Sequence, residues 1–299
     1  MNKRLQPRPW VIAAYLIPSF IIFASVLIIP LIMSGALSFF KFSSIKNFTF
    51  IGLENYRQMF SDKNVLTSLG NNFFLVIVCL IGQVGIAFIL ACLLNARGVR
   101  LRRFHQTVVY FPVTLSAVVV GYVWSMVFDY NYGLVAYFMR MAGNGAAVRP
   151  WLGQADTVMW CICVPMIWQY IGFHLVILLS AMTSIDPNVL EMAELDGATE
   201  VQKALKITLP LIRDTLIVCI SLCISANMRA FDHIIAMSNG GPGYSSCVMA
   251  IYAYKQSFSN LNMGYGSALS VLIFAVTAVL FLGTNYISRL TEKNEGARQ

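Results

Sequence analysis

The chain has 299 residues, of which 58% are hydrophobic and only 11% are charged. Soluble domains carry about 25% charged residues, so this composition excludes an ordinary soluble protein. The formal net charge is +8, but the excess Lys and Arg lie beside apolar runs, as topology signals do, and do not indicate nucleic-acid binding.

Several apolar runs exceed the roughly 20 residues that a helix needs to cross a bilayer. Only helices and closed barrels satisfy the backbone in lipid, so the sequence predicts an all-α polytopic membrane protein in the lipid bilayer, as a single domain over 1–299. Six transmembrane helices are predicted, at about residues 10–40, 72–94, 107–128, 157–182, 211–237 and 264–287.

The first predicted span follows three basic residues and is far longer than the roughly 7–15-residue core of a signal peptide, so we expect it to be retained. Segment 41–70 is polar and rich in aromatic residues. We expect it outside the membrane, where an amphipathic surface helix also fits. The second span is followed by arginines at 97, 100, 102 and 103, which mark the cytoplasmic side.

Residues 183–210 form a polar loop between the fourth and fifth spans. Asp186, followed by a proline, has the residue pattern that begins a helix. Asp196 with Gly197 predicts its end, because Gly adopts the left-handed conformation that ends many helices. The first half of this 183–210 loop is therefore predicted to be one short helix held at the membrane surface.

A second short helix is predicted by Thr199 and Gln202, which have the spacing of a capping box. Six spans place both termini on the same side, and basic residues precede the first span and follow the last. Because short cytoplasmic segments are enriched in Lys and Arg, we expect both termini and the 183–210 loop in the cytoplasm.

Polar side chains inside the spans are candidates for a transport path, because a polar group in lipid is costly and usually faces the bundle or a cavity. Met166, Gln169, Tyr170 and Phe173 share one helical face. An amide beside aromatic rings suits a sugar, whose hydroxyls need hydrogen bonds and whose C–H faces pack on rings. Asn227 is an amide midway along the fifth span. Interhelical hydrogen bonding and core filling explain each residue at least as well.

Other polar residues of the spans favour structural roles. Arg229 and Asp232 have the i, i+3 spacing at which opposite charges neutralise each other, and His174 is expected to be a hydrogen-bonded packing residue. The seven Cys fall mostly in apolar runs without a C-x-x-C pair, so we expect apolar fillers and neither disulfides nor a metal site. The sequence contains no P-loop, so we expect the chain to bind no ATP and no cofactor of its own.

The 183–210 loop resembles a family signature. Its residues match the EAA loop of ATP-binding-cassette importer permeases at Glu191, Ala193, Asp196, Gly197, Ala198, Ile207, Leu209 and Pro210, and depart from the usual pattern at Met192, Ala204 and Asp214. ELDGA at 194–198 is similar to the carbohydrate, maltose-type branch of that family. Two further segments resemble it: Gly52-Leu53-Glu54-Asn55-Tyr56 after the first span, and Phe231-Asp232 with Gly240-Gly241-Pro242, which is similar to the first, maltose-F-like permease subunit.

The resemblance implies a type I importer fold in a bacterial cytoplasmic (inner) membrane, and no enzymatic activity of the chain itself. It implies a heterodimer with a second homologous permease subunit, two ABC ATPase subunits that bind ATP and Mg, an extracellular or periplasmic solute-binding protein, and a carbohydrate substrate. ATPase-coupling residues implied by it are Glu191, Ala193, Asp196, Gly197, Ala198, Thr199 and Gln202. Substrate-path residues implied by it are Gln169, Tyr170, Phe173 and Asn227.

Three alternatives remain open. A permease of the same superfamily for a non-sugar solute differs only in the substrate. An ion-coupled secondary carrier commonly uses carboxylates inside the membrane, and here Asp232 is the only convincing one. An intramembrane enzyme requires a nucleophile with a base, or a metal cluster, and neither spacing is present.

Overall fold

The computed structural model describes residues 9–44, 47–96 and 98–296; residues 1–8, Arg97 and 297–299, which include several of the basic topology signals, lie outside the described residues. The described chain is mostly helical. Its α-helices are α1 (Pro9–Phe23), α2 (Ile29–Leu37), α3 (Glu54–Ser61), α4 (Lys63–Cys79), α5 (Ile86–Asn95), α6 (Arg102–Tyr110), α7 (Ala117–Val127), α8 (Leu134–Met141), α9 (Val158–Thr183), α10 (Pro187–Leu195), α11 (Glu200–Gln202), α12 (Leu209–Leu211), α13 (Arg213–Met228), α14 (Asp232–Met237), α15 (Met249–Tyr254) and α16 (Met263–Gly296).

Four helical segments are long and apolar enough to cross a membrane, and they correspond to the first, second, fourth and sixth predicted spans: Trp10–Leu37, Lys63–Asn95, Val158–Thr183 and Met263–Tyr286. Short π-helical turns join α1 to α2 and α4 to α5 within the first two. By length and composition the described chain thus holds four candidate spans, or up to six when two bent helix pairs are counted.

The third and fifth predicted spans are those bent pairs. Arg102–Thr114 and Ala117–Val127 meet at 97°. The turn before the bend contains Pro112, which lacks an N–H and disfavours a continuous helix. In the fifth, Glu200–Leu211 and Arg213–Met228 meet at 79°. The prediction of uninterrupted helices therefore does not hold at these two positions.

The chain divides into two compact units, of which the first comprises Met1–Asp62 and Ala253–Leu272. Strands β1 (Phe40–Ser44) and β2 (Asn47–Phe50) form an antiparallel hairpin in it. The purely α-helical prediction, and the surface helix considered for 41–70, are wrong for this segment. The signal was the alternation of aromatic residues, because the pairs Phe40 with Phe50 and Phe42 with Phe48 face each other across the strands.

Asn55 and Tyr56 attach helix α3 to the end of the first span. Asn55 Nδ2 donates to the carbonyl oxygens of Ser38 (2.8 Å) and Phe40 (3.0 Å). The Tyr56 hydroxyl lies 2.7 Å from Ser38 Oγ. Both residues belong to the Gly-Leu-x-Asn-Tyr segment, and this pattern therefore has a local structural role.

The second unit comprises Lys63–Tyr252 and Ile273–Gln299. Its main apolar core joins α5, α9 and α13, and its buried members include Ala87, Leu175, Leu178, Met182 and Cys219. At Gly172 the backbone of α9 lies against α6, because a Cβ there would approach Tyr110 Cα to 2.6 Å. A hydrogen side chain at this position is what allows the two helices to approach so closely.

Candidate functional site

The two helices of the 183–210 loop begin as their residues predict. Asp186 caps α10, since its carboxylate accepts from the backbone N–H of Asn188 at 3.0 Å. Thr199 and Gln202 form a complete capping box on α11: Thr199 Oγ1 accepts from Gln202 N at 3.3 Å, and Gln202 Oε1 accepts from Thr199 N at 2.9 Å. Both helix starts therefore have their free N–H groups satisfied by their own sequence.

Helix α10 ends in a Schellman motif. Gly197 N donates to the Glu194 carbonyl at 3.0 Å and Ala198 N donates to the Ala193 carbonyl at 3.0 Å, the bond pair that defines the motif. Gly197 has φ +78°, a conformation in which a side chain is strained. The predicted stop at Asp196 and Gly197 is confirmed, because Asp196 is the last residue before the turn.

Lys203 joins the two helices across this turn. Its Nζ donates to Glu194 Oε1 at 2.8 Å and to Glu200 Oε1 at 2.6 Å, and its side chain is only 10% exposed. The hydrogen bond to Glu194, and then that to Glu200, raise the pKa of Lys203 above its usual range. The sequence placed Lys203 only as a favourable charge on the second helix and missed this bridge, which joins residues nine apart.

The outward side of the loop is apolar at its centre. Ala193 is buried, whereas Leu195 is 87% exposed and Met192 is 64% exposed. Val201 and Leu205 on the following helix are also exposed. Glu191 is exposed beside them. We call Glu191, Met192, Leu195, Val201 and Leu205 the loop surface.

A buried polar cluster lies between the spans of the second unit. Asn227 Nδ2 donates to the Cys223 carbonyl at 2.8 Å and lies 3.4 Å from Gln83 Oε1. Gln83 Nε2 in turn donates to the Met166 carbonyl at 3.0 Å. Sequence reasoning missed Gln83, although a lone amide in the apolar second span was the same signal that singled out Asn227.

Gln169 connects three elements. Its Nε2 donates to the Leu115 carbonyl at 2.9 Å, at the bend of the third predicted span. Its Oε1 lies 2.7 Å from His233 Nε2 at the start of α14. Because the Gln169 amide already donates to Leu115, its oxygen faces His233, and the imidazole Nε2 is the donor.

The four predicted path residues therefore occupy two environments. Gln169 is 1% exposed and Asn227 is 2% exposed, and the amides of both have protein partners. Tyr170 and Phe173 are half-buried, and the Tyr170 ring lies 6.1 Å from the His233 ring. Of the four, the two aromatic residues are those with accessible surface.

Two expectations about polar residues differ from the structure. Arg229 and Asp232 form no ion pair within the described part of the chain; the Arg229 Nε donates instead to the Ser225 carbonyl at 3.1 Å. The helix ends at Met228, so the i, i+3 geometry of a continuous helix does not apply. His174 is buried, but its Nδ1 has no hydrogen-bond partner among the described residues.

No group of three or more His, Cys, Asp or Glu side chains among residues 9–44, 47–96 and 98–296 is placed to hold a metal ion. The candidate chemistry is thus recognition by hydrogen bonds, ring surfaces and charges, together with an exposed loop surface.

Residues 83–293 match the family described as binding-protein-dependent transport system inner membrane component. The chain belongs to this family. The permease is 29% identical to the probable ABC transporter permease protein YurN of Bacillus subtilis, over 90% of this chain and 92% of that protein. It is 29% identical to the diacetylchitobiose uptake system permease protein NgcF of Streptomyces coelicolor, over 84% of this chain and 74% of that protein.

A solved structure is similar over nearly the whole permease. A crystal structure of a bacterial alginate ABC transporter, in complex with an alginate pentasaccharide-bound periplasmic protein, contains a chain with a TM-score of 0.82 and 25% identity. The likeness covers 94% of this chain and 95% of that one. The fold is accordingly that of an ABC importer permease.

Proposed function

We propose that the chain is a membrane-spanning permease subunit of an ATP-driven, binding-protein-dependent importer of carbohydrates. The observation that carries this assignment is the likeness to an alginate importer over 94% of the chain. A relative named for diacetylchitobiose uptake supports the same substrate class. The subunit forms half of the translocation path, in the maltose-F-like position of a heterodimer.

In the proposed assembly the permease pairs with a second homologous permease in a bacterial cytoplasmic (inner) membrane, with both termini cytoplasmic and six spans. Two ABC ATPase subunits bind ATP and Mg and hydrolyse the ATP, and a solute-binding protein delivers the sugar from outside. The absence of a P-loop motif in the sequence supports this division of labour. The permease itself catalyses no reaction.

The 183–210 loop would couple the ATPase to the spans. Exposed apolar residues surrounded by charge are typical of a protein–protein interface, and Leu195 and Met192 have this character. Glu191, Ala193 and Asp196 belong to α10, whereas Gly197, Ala198, Thr199 and Gln202 form the turn and the next helix start. Because caps fix both helices, the loop transmits a push as a rigid body, which alternating access requires.

The substrate path is proposed at the face of α9 that carries Tyr170 and Phe173, because these rings are accessible and sugars pack on aromatic faces. Gln169 and Asn227 contribute from behind this face, where their hydrogen bonds hold α9, α13 and α14 in place. This distribution gives the aromatic residues the contact role and the amides a positioning role within the predicted set.

Reconstitution of the complete complex in proteoliposomes tests the proposal. We expect uptake of a labelled sugar that depends on ATP and on the binding protein. Phe173→Ala and Tyr170→Phe should lower uptake several-fold with normal complex yield. Asn227→Ala should instead lower the yield, by an interaction of about 0.6–2 kcal/mol. A complex that carries no sugar, or carries it without ATP, contradicts the proposed function.

A further inference from the structure

A break in the fifth predicted span places two charged side chains at membrane depth. Helix α13 ends at Met228, and α14 starts only at Asp232. From Arg213 the sixteen residues of α13 extend about 24 Å at 1.5 Å per residue, less than the roughly 30 Å of a hydrocarbon core. Non-helical backbone at such depth occurs where it is buried in protein or lines a water-filled cavity.

The polar groups at this break have unused hydrogen-bonding capacity. Arg229 and Asp232 are exposed and Tyr170 is half-buried. Among the described residues, nothing accepts from the Arg229 Nη atoms, because its one hydrogen bond to protein uses Nε. No described residue donates to the Asp232 carboxylate, and the Tyr170 hydroxyl has no described partner. Charged side chains inside a membrane are costly and mark substrate or ion pathways.

The break is held firmly from its inner side. His233, next to Asp232, lies 2.7 Å from the Gln169 oxygen. Gly121 of α7 brings its backbone so close that a Cβ would lie 2.8 Å from the Ala236 side chain of α14. A rigid backing fixes the accessible groups before a ligand arrives, which lowers the entropic cost of binding.

We infer that Arg229, Asp232 and Tyr170 form a sugar-hydroxyl binding site at this break, built for an uncharged carbohydrate. The inference rests on the proposed function and extends it to the substrate class. A carboxylate accepts hydrogen bonds from two neighbouring hydroxyls, a guanidinium donates to hydroxyl and ring oxygens, and a phenol does either.

The two charges cancel, so a neutral sugar leaves the site neutral. A uronate would place its carboxylate beside Asp232, and a like charge in a site of low dielectric is unfavourable. No other Lys, Arg, Asp or Glu lies between Asp214 and Lys255 to change that balance on this segment. The selectivity thus differs from that of the alginate importer to which the fold is similar.

The experiment uses the complete complex in proteoliposomes, with its binding protein outside and ATP inside. The probes are radiolabelled maltose, cellobiose and raffinose as neutral sugars and an alginate tetrasaccharide as the uronate. The variants are Asp232→Asn and Arg229→Gln. Arg149→Gln and Asp156→Asn are matched controls, because these two residues form an exposed ion pair in the same chain, at 3.3 Å.

We expect the wild-type complex to carry at least one neutral probe and not the uronate. Each variant at the break should lower that uptake at least tenfold, with normal complex yield and with binding-protein-stimulated ATP hydrolysis within twofold of wild type. The controls should transport normally. Unchanged uptake in both variants overturns the site, and so does loss of complex yield in both, which would identify a contact with the second permease.

The two levels of the proposal fail differently. Uptake of the uronate alone overturns the neutral-substrate inference while leaving carbohydrate import intact. Uptake of no probe by the wild-type complex counts against the proposed function itself. Normal wild-type uptake of a neutral sugar with unaffected variants removes only the site at the break.

Discussion

Lys203 Nζ lies 2.8 Å from a carboxylate oxygen of Glu194, across the glycine turn that separates α10 from α11. The same ammonium group lies 2.6 Å from Glu200 on its own helix. The contact to Glu194 is the one that joins the two helices, and the Glu194 side chain is 35% exposed against 78% for Glu200. The less exposed pair is the stronger one.

We predict that Lys203→Met loosens the loop and weakens ATPase docking. Charge-assisted hydrogen bonds contribute about 1.5–3 kcal/mol each when partly buried, and solvent lowers this to about 1 kcal/mol or less for the exposed partner. Recovery of the ATPase in affinity purification should fall several-fold, and Glu194→Gln should cost more than Glu200→Gln. Lys206→Met is the control, since Lys206 is exposed. Equal recovery for the variants of residues 203 and 206 would contradict a bridging role.

The same bridge predicts a pH dependence. Its hydrogen bonds raise the pKa of Lys203 above the ordinary 10.5, so the charged form is favoured in the folded loop. Stability from this source is fully present below pH 10.5 and is lost only as the pH rises through the higher folded value. ATPase docking should therefore not weaken through Lys203 between neutral pH and that limit, as measured by co-sedimentation. A loss that sets in well below the limit in wild type but not in Lys203→Met would contradict this assignment.

Gly197 provides a test of the turn itself. A Cβ at this position meets no atom within 4 Å, yet φ is +78°. Gly197→Leu should thus cost about 1–2 kcal/mol through backbone strain alone, and it should lower ATPase recovery and uptake while the spans remain folded. Gly197→Asn is the matched control, because Asn tolerates this conformation better. Glu191→Ala, on the loop surface, should also lower recovery. Wild-type recovery and uptake in both Gly197→Leu and Glu191→Ala would remove the coupling role of the loop.

Gly172 tests the contact between α6 and α9. An Ala there would bring its Cβ to 2.6 Å from Tyr110 Cα and close to the Val109 carbonyl, and overpacking against backbone costs about 1–3 kcal/mol or more. We expect Gly172→Ala to lower the thermal unfolding temperature of the purified complex by several degrees. In Gly85→Ala the new Cβ meets nothing within 4 Å, so this variant should unfold like wild type. Equal stability of the two variants would show that the helices separate without cost.

The orientation of the chain is testable with introduced thiols. Sequence reasoning favoured native Cys247 as an outward-facing probe, but Cys247 is 0% exposed and is unsuitable. Tyr244 is exposed beside it, and Thr183 is exposed at the far end of the fourth span. Tyr244→Cys should react with a membrane-impermeant maleimide on intact cells, and Thr183→Cys only after the inner membrane is opened. The reverse order would invert the proposed topology.

Local chemistry made the 183–210 loop predictable. Asp186, Gly197, Thr199 and Gln202 act on backbone groups no more than three residues away, so sequence spacing alone determines their contacts. Lys203 bonds to a residue nine positions back, and only the turn geometry brings the two together. No pattern of helical spacing contains that information.

The spans show the same limit. Apolar length predicted the fourth span within one residue at each end, because length and hydropathy define a crossing helix. The breaks near Pro112 and after Met228 depend on contacts with other helices, such as the bond from Gln169 to Leu115. Hydropathy also did not distinguish Tyr170, which keeps accessible surface, from Gln169, which is buried, since both lie on one face of α9.

The position of Gln169 restricts which amino acids can replace it. Its amide nitrogen donates to Leu115 while its oxygen accepts from His233. A glutamate has no N–H to offer the carbonyl, a lysine has no acceptor for the imidazole, and a methionine has neither. Asparagine has the right groups on a side chain one methylene shorter. Among relatives that retain His233, position 169 should accordingly vary little, and where it does change, His233 should change with it.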